Sequence, residues 1–348
     1  MKITKIDESR LPQADFSNLV FGTQFSDHML ICHYRDGAWE EAEIKPYGPL
    51  TFTPAMHTLH YGQAIFEGQK AYHREDGKVG IFRLEKNAER LNNSARRMFM
   101  PEYPVDDFVA GVKALIDLDR GWVPDDLESS LYIRPFMFGS SEFVAARPSE
   151  NFTLCVITSP VGPYYAGSVK VKVEERYTRS ATGGVGATKC AGNYAGAFLP
   201  TDEAKKQGYT QVIWTDHASH ELVEESGTMN IGFIIDNTFV TPPLSDRILP
   251  GITRASILQM LRAEGELQVE ERPIKVPEVI EAAQGGRLKE AFGMGTAAVI
   301  SPISTIGYRG TDYEIPTPAD GHGMRIKKTL TDIRQGRRED PYGWMTLL

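Results

Sequence analysis

Lys189 stands in Gly183-Gly-Val-Gly-Ala-Thr-Lys-Cys-Ala-Gly-Asn-Tyr194, with glycines on both sides of it. Such a segment can bend sharply and leaves room for a bulky group beside the amine. A lysine held in this way can act as a nucleophile or carry a proton. A phosphate-binding loop fails on spacing, because it needs glycine before the lysine and serine or threonine after it. Here Thr188 precedes and Cys190 follows. Taken alone, the segment is only suggestive, and a solvated loop lysine is the simpler reading. A second carrier of chemistry is Glu225, in Glu225-Ser-Gly-Thr-Met-Asn-Ile231. An acid at a strand end can keep a pyridine nitrogen protonated, and it can also be a plain surface carboxylate beside Glu224. Asp216-His-Ala-Ser-His-Glu221 has histidines three apart and acids on both sides. With no further ligand set, it reads as a polar turn and not as a metal site.

These residues need elements to hold them. A chain of 348 residues is long for one core, so two domains sharing a cleft are expected. The spacing predicts a strand over Val79 to Arg83 and a helix over Glu85 to Met98, with Leu84, Ala88, Leu91, Ala95 and Met98 on one face. Phe108 to Leu118 repeats that period, and Phe152 to Thr158 is apolar enough for a strand buried on both faces. The Gly- and Pro-rich stretch from Val161 to Ser168 marks a boundary. This gives a small N-terminal domain over 1–161, a linker over 162–168 and a large domain over 169–348 carrying the lysine. Past the linker, Val169, Val171 and Val173 alternate with Lys170, Lys172 and Glu174, as in a strand with one wet face. Strands are also predicted over Gln211 to Thr215, Leu222 to Glu225 and Asn230 to Ile235, with a turn at Asp236-Asn237. Helices follow over Arg254 to Ala263 and His322 to Arg334. The fold class is α+β with mixed sheets, and the lack of regular strand–helix alternation argues against a doubly wound fold.

Composition narrows the function classes. Lys and Arg number 38 against 46 Asp and Glu, a net charge of −8. The acidic balance disfavours a nucleic-acid partner, and the one basic tract, Arg334 to Arg338, alternates with acids. Met1-Lys-Ile-Thr-Lys-Ile-Asp-Glu8 has no apolar core of a signal peptide, and no apolar run approaches membrane-spanning length. Cys32, Cys155 and Cys190 make no Cys-x-x-Cys pair, zinc spacing or disulfide framework. A soluble, cytoplasmic protein is the expectation.

Several further segments carry a resemblance. They are Phe21-Gly-Thr-Gln-Phe-Ser-Asp-His-Met29, His60-Tyr61, Phe66-Glu-Gly-Gln-Lys70, Tyr132-Ile-Arg-Pro135, Leu249-Pro-Gly251, Gly293-Met-Gly-Thr-Ala297 and Leu330-Thr-Asp-Ile-Arg-Gln-Gly336. With the Lys189 and Glu225 segments, in this order, the chain resembles the class IV aminotransferases over nearly its whole length. These are fold type IV pyridoxal-phosphate enzymes, and the branched-chain amino acid aminotransferases match best. Other activities on the scaffold are D-amino acid transamination and aminodeoxychorismate lysis. A silent binding protein is the alternative outside enzymes.

The resemblance implies an active site in the interdomain cleft and a role for each matching residue. Lys189 would form the Schiff base with pyridoxal 5'-phosphate and then carry the proton. Tyr194 would bond the ring hydroxyl and Glu225 the pyridine nitrogen. Arg90 would grip the phosphate, a task suited to a guanidinium, helped by the amides of Ile252 and Thr253 at a helix start and by Thr296. Phe21, Tyr61, Phe66, Tyr132 and Tyr164 would surround a branched side chain. Arg134 would accept the second carboxylate of 2-oxoglutarate or L-glutamate, while Thr228, Thr296 and Ala297 would also meet substrate. The implied reaction is ping-pong transfer of the amine from L-leucine, L-isoleucine or L-valine to 2-oxoglutarate, by a homodimer in which the partner's small domain helps close the pocket. Some mammalian members carry Cys-x-x-Cys after the Gly-Thr-Ala turn. Ala298 and Ser301 stand there in this chain, so no such redox switch is expected. Cys190 reads as a small buried side chain and not as a reactive thiol.

Overall fold

The computed structural model describes residues 1–126, 129–162 and 167–348. Tyr164 and most of the 162–168 stretch lie outside the described residues. The chain forms two units, one of Met1–Tyr164, Thr188–Ala191 and Thr331–Leu348, the other of Tyr165–Ala187 and Gly192–Leu330. This grouping differs from a single cut after residue 161. The lysine segment joins the first unit because Ile65 bridges Cys190 and the Phe66 N–H donates to the Lys189 carbonyl at 3.0 Å.

The first unit is built on β1 (Lys2–Ile3), β2 (His28–Arg35), β3 (Ala38–Trp39), β4 (Glu43–Pro46), β5 (Ala64–Phe66), β6 (Gln69–His73), β7 (Val79–Phe82), β8 (Ser130–Gly139) and β9 (Phe152–Val161), with α1 (His57–Tyr61), α2 (Leu84–Arg97) and α3 (Val105–Leu118). The sheet runs β1-β4-β2-β9-β8-β6-β7 and ends on the strand Met345–Leu347, with β3 on β2 and β5 on β8. β8 and β9 stay in antiparallel register from Ser130↔Val161 to Gly139↔Phe152. β9 is buried almost throughout, as its unbroken apolar run requires. α2 buries Leu84, Ala88, Leu91 and Ala95 at helical spacing, and Arg90 and Ser94 with them. Arg83, predicted as strand, has φ 51° and instead makes the corner between β7 and α2.

The second unit carries β10 (Val169–Val173), β11 (Gln211–Thr215), β12 (Val223–Ser226), β13 (Asn230–Ile235), β14 (Thr238–Thr241), β15 (Gln268–Glu271), β16 (Leu288–Gly295), β17 (Val299–Tyr308) and β18 (Thr311–Glu314). Its helices are α4 (Ala191–Ala195), α5 (Phe198–Lys206), α6 (Ile252–Glu264), α7 (Val276–Gln284) and most of α8 (His322–Arg334). The sheet order is β12-β11-β10-β17-β16-β13-β14-β15, with β18 on β17. Parallel β10/β11 and β10/β17 pairs beside antiparallel β13/β16 and β16/β17 pairs make it mixed. Val169, Val171 and Val173 face the core with Phe233, Ile303 and Ile306, each fully buried large side chain contributing about 1.5–3 kcal/mol. Asp236, at φ 53°, turns the β13–β14 hairpin. α8 is capped from β16, where Glu290 accepts the N–H groups of His322 at 2.6 Å and Gly323 at 2.8 Å. No helix among the described residues is long and apolar enough to cross a membrane.

Candidate active site

In the first unit the Lys189 backbone is fixed on two sides. Its carbonyl accepts from Phe66, and its N–H donates to Ser94 Oγ of α2 at 3.0 Å. Ser94 lies one turn beyond Arg90, so α2 presents both to the lysine segment. The Lys189 Nζ sits 4.7 Å from the centre of the Phe66 ring, and the Arg134 guanidinium is at 4.7 Å from the same ring. Arg134 Nη2 donates to the Tyr132 hydroxyl at 3.1 Å, and Phe21 meets the Tyr132 ring edge-on at 4.9 Å. Arg90 is buried against Glu67, with Nε to Oε1 at 2.7 Å and Nη2 to Oε2 at 2.9 Å. Arg90 is thus a buried residue, not a solvated one on the helix surface. Glu89 pairs instead with Lys86.

The residue Lys189 is only half-buried, but its amine is enclosed by protein. Burial first, and then the Arg90 guanidinium, lower its pKa from 10.5 to about 8, with Glu67 opposing. The neutral, nucleophilic amine is therefore far more accessible than in an ordinary lysine. Modification of Lys189 by an amine-directed reagent should rise through a midpoint near pH 8, as peptide mass mapping across pH would show. A midpoint shared with the exposed lysines would contradict the enclosure. Arg90, Arg134 and Lys189 also outnumber Glu67, and Arg134 Nε is buried without a partner. A cluster with this charge excess suits an anionic ligand.

Gly68 is required beside it. A Cβ there would lie 2.0 Å from the Tyr132 hydroxyl, an impossible approach. Gly68→Ala should displace Tyr132 and with it Arg134, costing about 1–3 kcal/mol by overpacking. Thermal unfolding would read this, and an unchanged transition would show that Tyr132 can move freely.

In the second unit, Tyr194, Glu225, Thr228, Arg179 and Leu249 line one recess. Glu225 lies on β12 and is 2% exposed. Its Oε1 accepts the Leu249 N–H at 2.7 Å and Asn230 Nδ2 at 3.4 Å, while its Oε2 meets Arg179 Nε at 3.0 Å. The turn after Glu225 needs Gly227, whose φ is +55° and whose added Cβ would fall 1.2 Å from Gln211 Oε1. Helix α6 starts at Ile252, two residues before the expected Arg254, because Gly251 is its extended N-cap. Ile252 and Thr253 thus belong to its first turn, where unbonded N–H groups gather. Thr296 and Ala297 lie in the turn joining β16 to β17, closed by the Gly295↔Val299 pair.

The structure thus brings Phe21, Phe66, Arg90, Tyr132, Arg134 and Lys189 together in one unit, and Tyr194, Glu225 and Thr228 in the other. Tyr61 is not in the lysine cluster. It is 44% exposed, and its hydroxyl donates to the Val144 carbonyl at 2.6 Å. Glu67 and Arg179 were given no role by sequence. Glu67 stands inside a quoted motif, whereas nothing near Arg179 in the chain marks it. The Asp216 segment is a polar turn in fact, its carboxylate accepting the N–H groups of Ser219, Glu221 and Leu222. Cys190 is buried and unpaired, as are Cys32 and Cys155.

The first unit thus holds an enclosed amine of lowered proton affinity in a cationic cluster, and the second a buried carboxylate on β12. The chain belongs to the class IV aminotransferases: the family profile "Amino-transferase class IV" matches residues 64–306. It is 44% identical over 343 residues, 97% of this chain and 95% of the other, to the "Probable branched-chain-amino-acid aminotransferase" of Staphylococcus epidermidis. Among solved structures it resembles the branched-chain aminotransferase of Thermoproteus uzoniensis with norvaline, with TM-score 0.76, 25% identity and coverage of 92% and 99% of the two chains. It also shares the fold of the branched-chain amino acid aminotransferase from Thermobaculum terrenum in its PLP-form, with TM-score 0.75, 22% identity and coverage of 93% and 99%.

Proposed function

We propose that this chain is a pyridoxal-phosphate-dependent branched-chain amino acid aminotransferase. It would move the amine of L-leucine, L-isoleucine or L-valine to 2-oxoglutarate, giving L-glutamate. The observation that carries the reading is the enclosed Lys189 amine with its lowered proton affinity, in a chain of this family. The residues fit the cofactor chemically: an amine for its aldehyde, a cationic excess for its phosphate, and a buried carboxylate for its nitrogen. When bound, pyridoxal phosphate supplies an electron sink and a temporary carrier for the amine.

The protein's own residues supply the rest. Lys189 Nζ, neutral for a useful fraction of molecules near neutral pH, takes the proton from the substrate α-carbon and delivers it onward. Arg90, with the amides of Ile252 and Thr253 and the Thr296 hydroxyl, would hold the phosphate. Tyr194 would bond the ring hydroxyl, and Glu225 would accept from the ring nitrogen. Phe21, Phe66 and Tyr132 offer apolar surface to a branched side chain and disfavour a charged one. Arg134, with its unpartnered Nε, receives the second carboxylate of 2-oxoglutarate. Thr228 and Ala297 would face substrate too.

We further propose a cytoplasmic homodimer. Exposed Leu59, Tyr61 and Val144 give α1 and its neighbouring loop an apolar surface of the kind a second copy covers. The visible spectrum of the purified protein tests the function. L-leucine alone should abolish the band of bound pyridoxal phosphate, and 2-oxoglutarate should restore it. A band that D-alanine removes and L-leucine leaves intact would reassign the substrate. A protein that stays colourless with added cofactor would overturn the reading.

A further inference from the structure

Arg179 belongs to no motif that suggested function, yet it closes on Glu225. Its Nη1 donates to the carbonyls of Gly186 at 3.2 Å and Arg247 at 2.8 Å, and Nη2 donates to Gly186 at 3.1 Å. Its Nε is left for Glu225 Oε2, at 3.0 Å, and the two side chains are 6% and 3% exposed. The backbone carbonyls aim the guanidinium, so the direction of its charge is fixed before Glu225 is considered. Glu225 Oε1 is meanwhile held by the Leu249 N–H and by Asn230 Nδ2. Every one of these donors favours the ionised carboxylate over the acid.

The other charged groups nearby are engaged elsewhere. Glu224 is ion-paired with Arg247 at 2.5 Å, Asp246 accepts the Gly183 N–H, and Asp216 is bound by its own turn. Tyr194 is the remaining titratable side chain lining the recess. Among the described residues, Arg179 is the cation set directly against Glu225.

We propose that Arg179 is a positioning residue for the reaction. By holding Glu225 as a carboxylate, it keeps the shared proton on the ring nitrogen of bound pyridoxal phosphate and off Glu225. One proton is involved, and it moves between two acceptors with no other co-reactant. This inference rests on the cofactor reading above.

The experiment reconstitutes the full chain with pyridoxal phosphate carrying nitrogen-15 in the ring and reads that nitrogen by NMR at neutral pH. The wild-type protein should show the protonated shift. Arg179→Gln should move it more than halfway to the unprotonated value, because the carboxylate that lost its counter-charge now takes the proton. Arg179→Lys, which keeps the charge, should return it. If Arg179→Gln does not retain the cofactor, Asn230→Asp replaces it in the test. That change leaves Arg179 in place but sets a second carboxylate beside Glu225, and two close carboxylates raise the proton affinity of one of them. It should move the shift in the same direction. A variant that binds cofactor with the wild-type shift, or with a more protonated one, overturns the proposal and leaves the function intact. A wild-type protein that binds no pyridoxal phosphate overturns both.

Discussion

Replacing Lys189 by alanine is expected to lower transamination turnover by at least about four orders of magnitude, without loss of the fold. The variant loses both the covalent anchor for the cofactor and the base that moves the α-proton. In the cofactor-free protein the same change should not destabilise. The lysine's folded pKa, about 8, lies below its free value of 10.5, so holding it charged opposes folding. That penalty is complete below pH 8 and fades as pH rises through 10.5, where both folded and unfolded chains carry the neutral amine. Alanine removes up to about 3 kcal/mol of it at neutral pH, offset by lost contact with Phe66. Multiple turnovers by Lys189→Ala would refute the assignment. A markedly lower unfolding temperature of the apo variant at neutral pH would show that the amine is not held at a cost.

Glu67→Gln is the second change with a large expected effect, and it acts on stability. Glu67 is fully buried and meets Arg90 through both carboxylate oxygens. Removing its charge leaves a buried guanidinium uncompensated, at a cost of about 3–5 kcal/mol measurable by urea unfolding. Glu67 is also the carboxylate that helps hold the proton on Lys189. Its loss should move the midpoint of Lys189 modification to lower pH than in the wild-type protein. A stable variant with an unmoved midpoint would mean that the pair is replaceable and electrically remote from the lysine.

The sequence made some of this architecture legible and hid the rest for physical reasons. Periodic segments were readable, because burial imposes its period directly on residue choice. Gln211–Thr215, Asn230–Ile235 and His322–Arg334 fall where their patterns put them. The Lys189 and Glu225 segments were conspicuous because tight turns demand glycine. What stayed hidden depends on contacts between distant residues. Nothing in the chain ties Glu67 to Arg90, or Arg179 to Glu225, until β5, α2 and β12 are in place. The burial of Arg90 was not readable either, because its partner Glu67 lies in the link between β5 and β6. The two-residue strands Lys2–Ile3 and Ala38–Trp39 are too short to carry a period at all.

The strand Met345–Leu347 pairs with β7 through Met345↔Phe82, Thr346↔Ile81 and Leu347↔Gly80. During synthesis, β7 is therefore made early and waits for a partner that emerges some 260 residues later. Until then a row of amides and carbonyls on Val79–Phe82, an apolar strand, is open to any passing chain. Shortening the protein by a few residues at this strand would leave that vulnerability permanent. Clumping during expression would then be the first sign, well before any loss of catalytic machinery.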